Sequence, residues 1–98
     1  MLWGREFVNS IVFNELADYL RNGREIEFAY GGRQYSITNH SGFWHLCDDT
    51  EHTLLETICS FDDKEALVSR IADFSLSGLT IRQIFDTQSY DPEKLCIL

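Results

Sequence analysis

The chain reads as an α+β domain with an N-terminal helix, a three- to four-stranded antiparallel β-meander and two C-terminal helices packed on one sheet face. Three observations carry that expectation. Two runs of alternating apolar and polar residues, 25–30 and 33–38, flank Gly31-Gly32 in a hairpin pattern. A stretch of helical spacing precedes them, and two capping signals open helical stretches after them. Finally, 98 residues leave room for a single domain, 1–98, whose one core buries roughly 65% of the unfolded surface by size scaling.

The first helix rests on Ile11, Val12, Phe13, Leu16, Ala17, Tyr19 and Leu20, which recur at helical intervals across 10–20, with Asn22-Gly23 as its stop. In the hairpin, Gly31-Gly32 tolerates the positive φ angles of a type I′ turn, which sets Tyr30 against Arg33. Phe28 then faces Tyr35 and Ile26 faces Ile37 on an apolar side, while Ala29, Glu27 and Glu25 meet Gln34, Ser36 and Thr38 on a polar one. A slip of one residue turns every large side chain the wrong way, so the register is strongly specified and the sheet needs helices on one side only. Asn39, His40, Ser41 and Gly42 make a turn into a third strand, 43–47, with Trp44 and Leu46 inward.

The span 53–61 carries two signals: Leu54, Leu55, Ile58 and Cys59 fit a helix, whereas Thr53, Thr57, Ile58 and Phe61 suit a strand. A strand is favoured because an Asp62-x-x-Glu65 capping box follows and opens a helix over about 63–74 that buries Ala66, Leu67, Ile71 and Phe74. After a connector at 75–78, a second box, Thr80-x-x-Gln83, opens a short helix offering Ile81, Ile84 and Phe85 to the core. Pro92 keeps the tail, 91–98, from continuing that helix, so the tail is a separate piece whose apolar end is available to dock or pair.

The net charge of −8 is unevenly spread. Residues 1–47 hold five acids against four arginines, a net of −1, and residues 48–98 carry the remaining −7. Seven acids and one lysine fall within 48–65. Such a field repels phosphate backbones, which argues against direct nucleic-acid binding, and it attracts basic protein surfaces. The alternative reading is a solvated acidic face that keeps a small protein soluble. Cys47, Cys59 and Cys96 are odd in number with no close pair, which fits a reducing cytoplasm better than a disulfide scaffold. The opening residues lack the apolar run of a signal peptide, and no stretch is long enough to span a bilayer, so a cytoplasmic, membrane-free protein is expected.

His45, Cys47, His52 and Cys59 superficially suggest a transition-metal or thiol site. Their spacing departs from the close Cys pair and close His pair of small zinc modules, although His45 and Cys47 share one strand face. A Cys–His nucleophile further requires an orienting group and a substrate pocket. The acidic run 48–51 lacks the glycine and the distant glutamate of an EF-hand loop. No glycine-rich phosphate loop or other cofactor motif occurs. The rings of Phe28, Tyr30, Tyr35, Phe43 and Trp44 suit base stacking in principle, but such platforms are basic, and three of the five sit on the face that helices must cover.

The run GREIEFAYGGRQYSIT at 23–38, with LTIRQIFD at 79–86, resembles small uncharacterised α+β proteins of Gram-positive bacteria and their prophages. The resemblance implies a bacterial or mobile-element origin and supplies no catalytic residues. The expectation is therefore a non-catalytic acidic interaction module, such as a phage or mobile-element inhibitor or accessory factor. It would meet a basic protein surface through Asp48, Asp49, Glu51, Glu56, Asp62 and Asp63. The alternative is a small metal- or thiol-dependent protein using His45, Cys47, His52 and Cys59. Leu2 and Trp3, and the apolar tail 95–98, are candidate homo-oligomer contacts.

Overall fold

The hairpin register derived from residue alternation is the register of the folded chain. Ile26 pairs with Ile37, Phe28 with Tyr35 and Tyr30 with Arg33, and both turn glycines have positive φ, 60° at Gly31 and 79° at Gly32. The computed structural model describes residues 10–98 together with the backbone of Glu6–Phe7. Leu2, Trp3 and the opening residues read for a leader lie outside the described residues.

In chain order the elements are β1 (Glu6–Phe7), α1 (Phe13–Arg21), β2 (Ile26–Tyr30), β3 (Arg33–His40), β4 (Phe43–Asp48) and β5 (Thr53–Ser60), followed by α2 (Lys64–Asp73), β6 (Ser75–Leu76), β7 (Leu79–Thr80), α3 (Ile81–Asp86), a 3-10 turn (Pro92–Lys94) and β8 (Cys96–Ile97). The fold is α+β. Its main sheet is antiparallel throughout with strand order β1-β8-β2-β3-β4-β5, so the expected meander is present as β2–β5 and gains two further strands.

Helix α1 starts three residues later than the apolar spacing suggests. The Tyr90 hydroxyl accepts from the Ile11 N–H at 2.6 Å and donates to the Ile11 carbonyl at 2.9 Å, which occupies the backbone groups that an earlier start would use. The first orphan amide of the helix, that of Phe13, donates to the Asp86 carboxylate at the end of α3. At the other end, Gly23 and Arg24 donate to the carbonyls of Leu20 and Tyr19, a Schellman closure around the positive-φ glycine.

Three further expectations are corrected. Asn39 and His40 belong to β3, and the turn into β4 is only Ser41-Gly42, both with positive φ. The N-cap of α2 is Asp63, whose carboxylate accepts from Ala66. Asp62 sits in the preceding turn, where its carbonyl accepts from Lys64. The buried stripe of α2 is Leu67, Val68, Ile71 and Ala72, while Ala66 and Phe74 are half-buried. The 75–78 connector is a small β6–β7 hairpin. The tail is a separate piece whose apolar end docks, as expected: Asp91 donates to the Ala29 carbonyl, β8 pairs with β2, and Leu95, Cys96 and Ile97 are buried. Those three side chains belong to the chain's own fold, and Leu98 is half-buried.

One hydrophobic cluster joins Phe13, Leu16 and Leu20 of α1, Leu67 and Ile71 of α2, and Ile84 and Phe85 of α3 with the sheet residues Ile26, Phe28, Ile37, Trp44 and Leu46. Phe28 stacks on Tyr35 and meets Phe85 edge-on, with both hairpin rings inside the core. They are filling, not a stacking platform.

Candidate functional site

The acidic half of the chain begins at the β4–β5 turn, where the first carboxylate turns inward. Asp48 is the last residue of β4, on the same strand face as Trp44 and Leu46, and is 5% exposed. One of its oxygens accepts from the Arg33 guanidinium at 2.9 Å and the other from the Glu51 N–H at 3.1 Å. Burial by itself would raise the Asp48 carboxyl. The Glu51 amide and the Arg33 cation outweigh that penalty and hold the group below the ordinary carboxylate range. The same hydrogen bond, and the charges of Asp48 and Glu51, raise Arg33 above its usual value. Around this pair, Thr50 accepts from the Gln34 N–H and Asp49 from the Ser36 hydroxyl. The turn is stitched to β3.

Beyond it, β5 departs from a regular strand at two points. Leu46 pairs with Glu56 and Cys47 with Leu54, so Leu55 is an extra residue; Trp44 pairs with Cys59 and His45 with Thr57, so Ile58 is another. Two bulges therefore place Leu55 and Ile58, three residues apart, against the core. The Arg70 guanidinium, reaching from α2, donates to the Ile58 carbonyl and secures the second bulge. Trp44 is wholly buried, stacks on Phe61 at 5.7 Å and donates its indole N–H to the Phe61 carbonyl.

The carboxylates predicted from sequence thus divide. Asp48 is an internal strut, while Asp49, Glu51, Glu56, Asp62 and Asp63 are exposed. Glu51 shares Arg33 at 3.6 Å, and Asp63 caps α2. Among the described residues Asp49, Glu56, Asp62 and Asp63 make no ion pair. They follow β5, an edge strand of the sheet, from the turn that enters it to the turn that leaves it.

The His/Cys residues do not converge. His45 and Cys47 share a face of β4 as expected, Cys59 lies opposite Trp44 and so at a core-side position, and His52 sits in the turn with a φ of 54°. No group of three or more His, Cys, Asp or Glu side chains is arranged to hold a metal ion among the described residues. Burial raises the Cys47 thiol, and the nearby Asp49 charge raises it further; burial and Asp63 do the same to Cys59. Hollows of about 350 and 380 Å³ lie at the β2–β3 turn beside Lys94 and between Arg24 and Leu98, and none of the four side chains borders either.

One feature of this region escapes sequence reasoning. The His40 and His45 rings stack at 4.2 Å, and both nitrogens of His45 are out of solvent with no hydrogen-bond partner among the described residues. The signal for it is the His40–Phe43 pairing, which becomes legible only once His40 is a strand residue rather than a turn residue. No protein-family model matches the chain, and neither the curated proteins nor the solved structures include a match to it.

Proposed function

We propose that this chain is a non-catalytic interaction module that engages a basic protein surface through Asp49, Glu51, Glu56, Asp62 and Asp63. Asp48 serves in that reading as the strut that shapes the first turn and not as a contact. The observation that carries it is the run of exposed carboxylates along β5 and its two flanking turns, with Arg33 as the one cation paired within it among the described residues. Fixed negative charge on a hydrogen-bonded turn and a capped helix start meets a positive groove with little ordering entropy, and it accelerates encounter. In the same reading the three helices lie together on the core side of the sheet, which the shared hydrophobic cluster supports. A role as an inhibitor or accessory factor of a phage or mobile element fits a small acidic chain of this kind.

The test is affinity capture from the native host, followed by mass spectrometry, with wild type and a variant carrying lysine at Asp49, Glu51, Glu56, Asp62 and Asp63. The expected outcome is a specific basic partner retained by wild type and lost by the folded variant. Equal recovery on both baits removes the acidic side as the contact.

A further inference from the structure

The strand face that turns away from the hydrophobic cluster carries a second set of side chains. There Cys47 lies beside Leu54, His45 beside Thr57 and His40 beside Phe43. Phe43 is 47% and Leu54 55% exposed, and these are two of the three large apolar residues exposed among the described residues. His45, between them, is the side chain whose nitrogens lack partners. Neighbouring exposed apolar side chains on one strand face are surface from which an isolated fold gains nothing and which a covering partner can bury.

Charge selects the occupant. The described strand residues on this face include no lysine or arginine, whereas the Asp49 carboxylate is held over the face by the Ser36 hydroxyl at 3.1 Å. A second copy of a chain with net charge −8 would set acidic rim against acidic rim. Nucleic acid would meet the same repulsion. We propose that this open sheet face docks an amphipathic cationic segment of a partner protein, whose apolar side chains cover Phe43 and Leu54 and whose lysines or arginines reach the Asp49 rim. The face of β3–β5 spans roughly 10–15 Å by about 20 Å, or about 200–300 Å², from strand spacing and rise. A standard interface needs about 800 Å² per partner, so the face alone supports a weak contact that neighbouring charges must extend.

The proposal stands on the apolar face and not on the β5 carboxylates, and three synthetic probes separate the two. An amphipathic Lys/Leu peptide, a Lys/Ser peptide of equal charge and a Glu/Leu peptide of equal apolar pattern are titrated into the full chain by heteronuclear NMR. The Lys/Leu peptide is expected to shift the Phe43, His45, Cys47, Leu54 and Thr57 amides. It should bind at least about tenfold more tightly than either control, and Phe43→Ser with Leu54→Ser should remove that advantage without moving the unfolding midpoint. If Lys/Ser binds as tightly as Lys/Leu, with shifts confined to 49–51 and 62–63, the face is not a docking surface although the acidic-side reading survives. Equal binding of Glu/Leu overturns the charge selection. A dimer in sedimentation equilibrium that Leu54→Ser dissociates replaces the partner with a second copy.

Discussion

The β2–β3 hairpin and the β5 strand are built from similar residues and behave in opposite ways. The hairpin keeps a strict two-residue period, and Ile26, Phe28, Tyr35 and Ile37 on one face are buried in the core. In β5 two inserted residues convert the period to three, Leu55 and Ile58 reach the core, and Leu54 and Glu56 are left outside. The difference shows where this molecule invests in stability and where it presents surface. A regular strand has no slack for register change, whereas a bulged outermost strand loses ladder regularity and is poorly suited to continued strand pairing.

Truncation separates the two regions most sharply. Phe28→Ala, in the hairpin, removes a wholly buried ring that touches Tyr35 and Phe85, and a loss of about 3–5 kcal/mol is expected in urea unfolding. Leu54→Ser, in β5, is expected to stay within about 0.5 kcal/mol of wild type in the same assay. Comparable losses at the two sites would erase the contrast.

A smaller effect is expected from Tyr90→Phe, which deletes the hydroxyl bonded to both backbone groups of Ile11. Leaving a buried donor and acceptor unmatched costs about 1–3 kcal/mol, and hydrogen exchange at the first turn of α1 should report the local loosening. An unchanged midpoint would mean that water replaces the hydroxyl without penalty.

The Asp48 strut is distinguished by its pH dependence. Its carboxyl ionises more readily folded than unfolded, so its stabilisation is present above the ordinary value of 3.8 and is lost as pH falls through the lower folded value. Subtracting the Asp48→Asn melting curve from that of wild type should therefore give a difference that is largest at neutral pH and vanishes in acid. A difference independent of pH would assign the Asp48 contribution to shape rather than charge.

Much of the fold is legible in the residues, and the failures have definite causes. The hairpin register, the inward placing of Trp44 and Leu46, and the Thr80/Gln83 box all follow from local periodicity and capping, and each is present. The span 53–61 looks ambiguous because a doubly bulged strand imitates helical spacing. The docking of β8 beside β2 depends on residues far apart in sequence, which no local pattern reports. Among the candidate contacts, composition locates the acidic run but cannot separate Asp48 from its neighbours. That separation depends on Arg33, which the hairpin turn places at the start of the neighbouring strand β3.

Ionic strength tests the central claim most directly: the exposed carboxylates of β5 and its turns, and not the strut, contact the partner. With the captured partner in hand, Kd is measured from about 0.05 to about 0.5 M salt for wild type, Asp48→Asn and the five-lysine variant. The expected result is steep weakening with salt for wild type and Asp48→Asn alike, with the lysine variant weak at every salt concentration. A wild-type affinity that does not respond to salt, or a lysine variant that binds as wild type does, would contradict it.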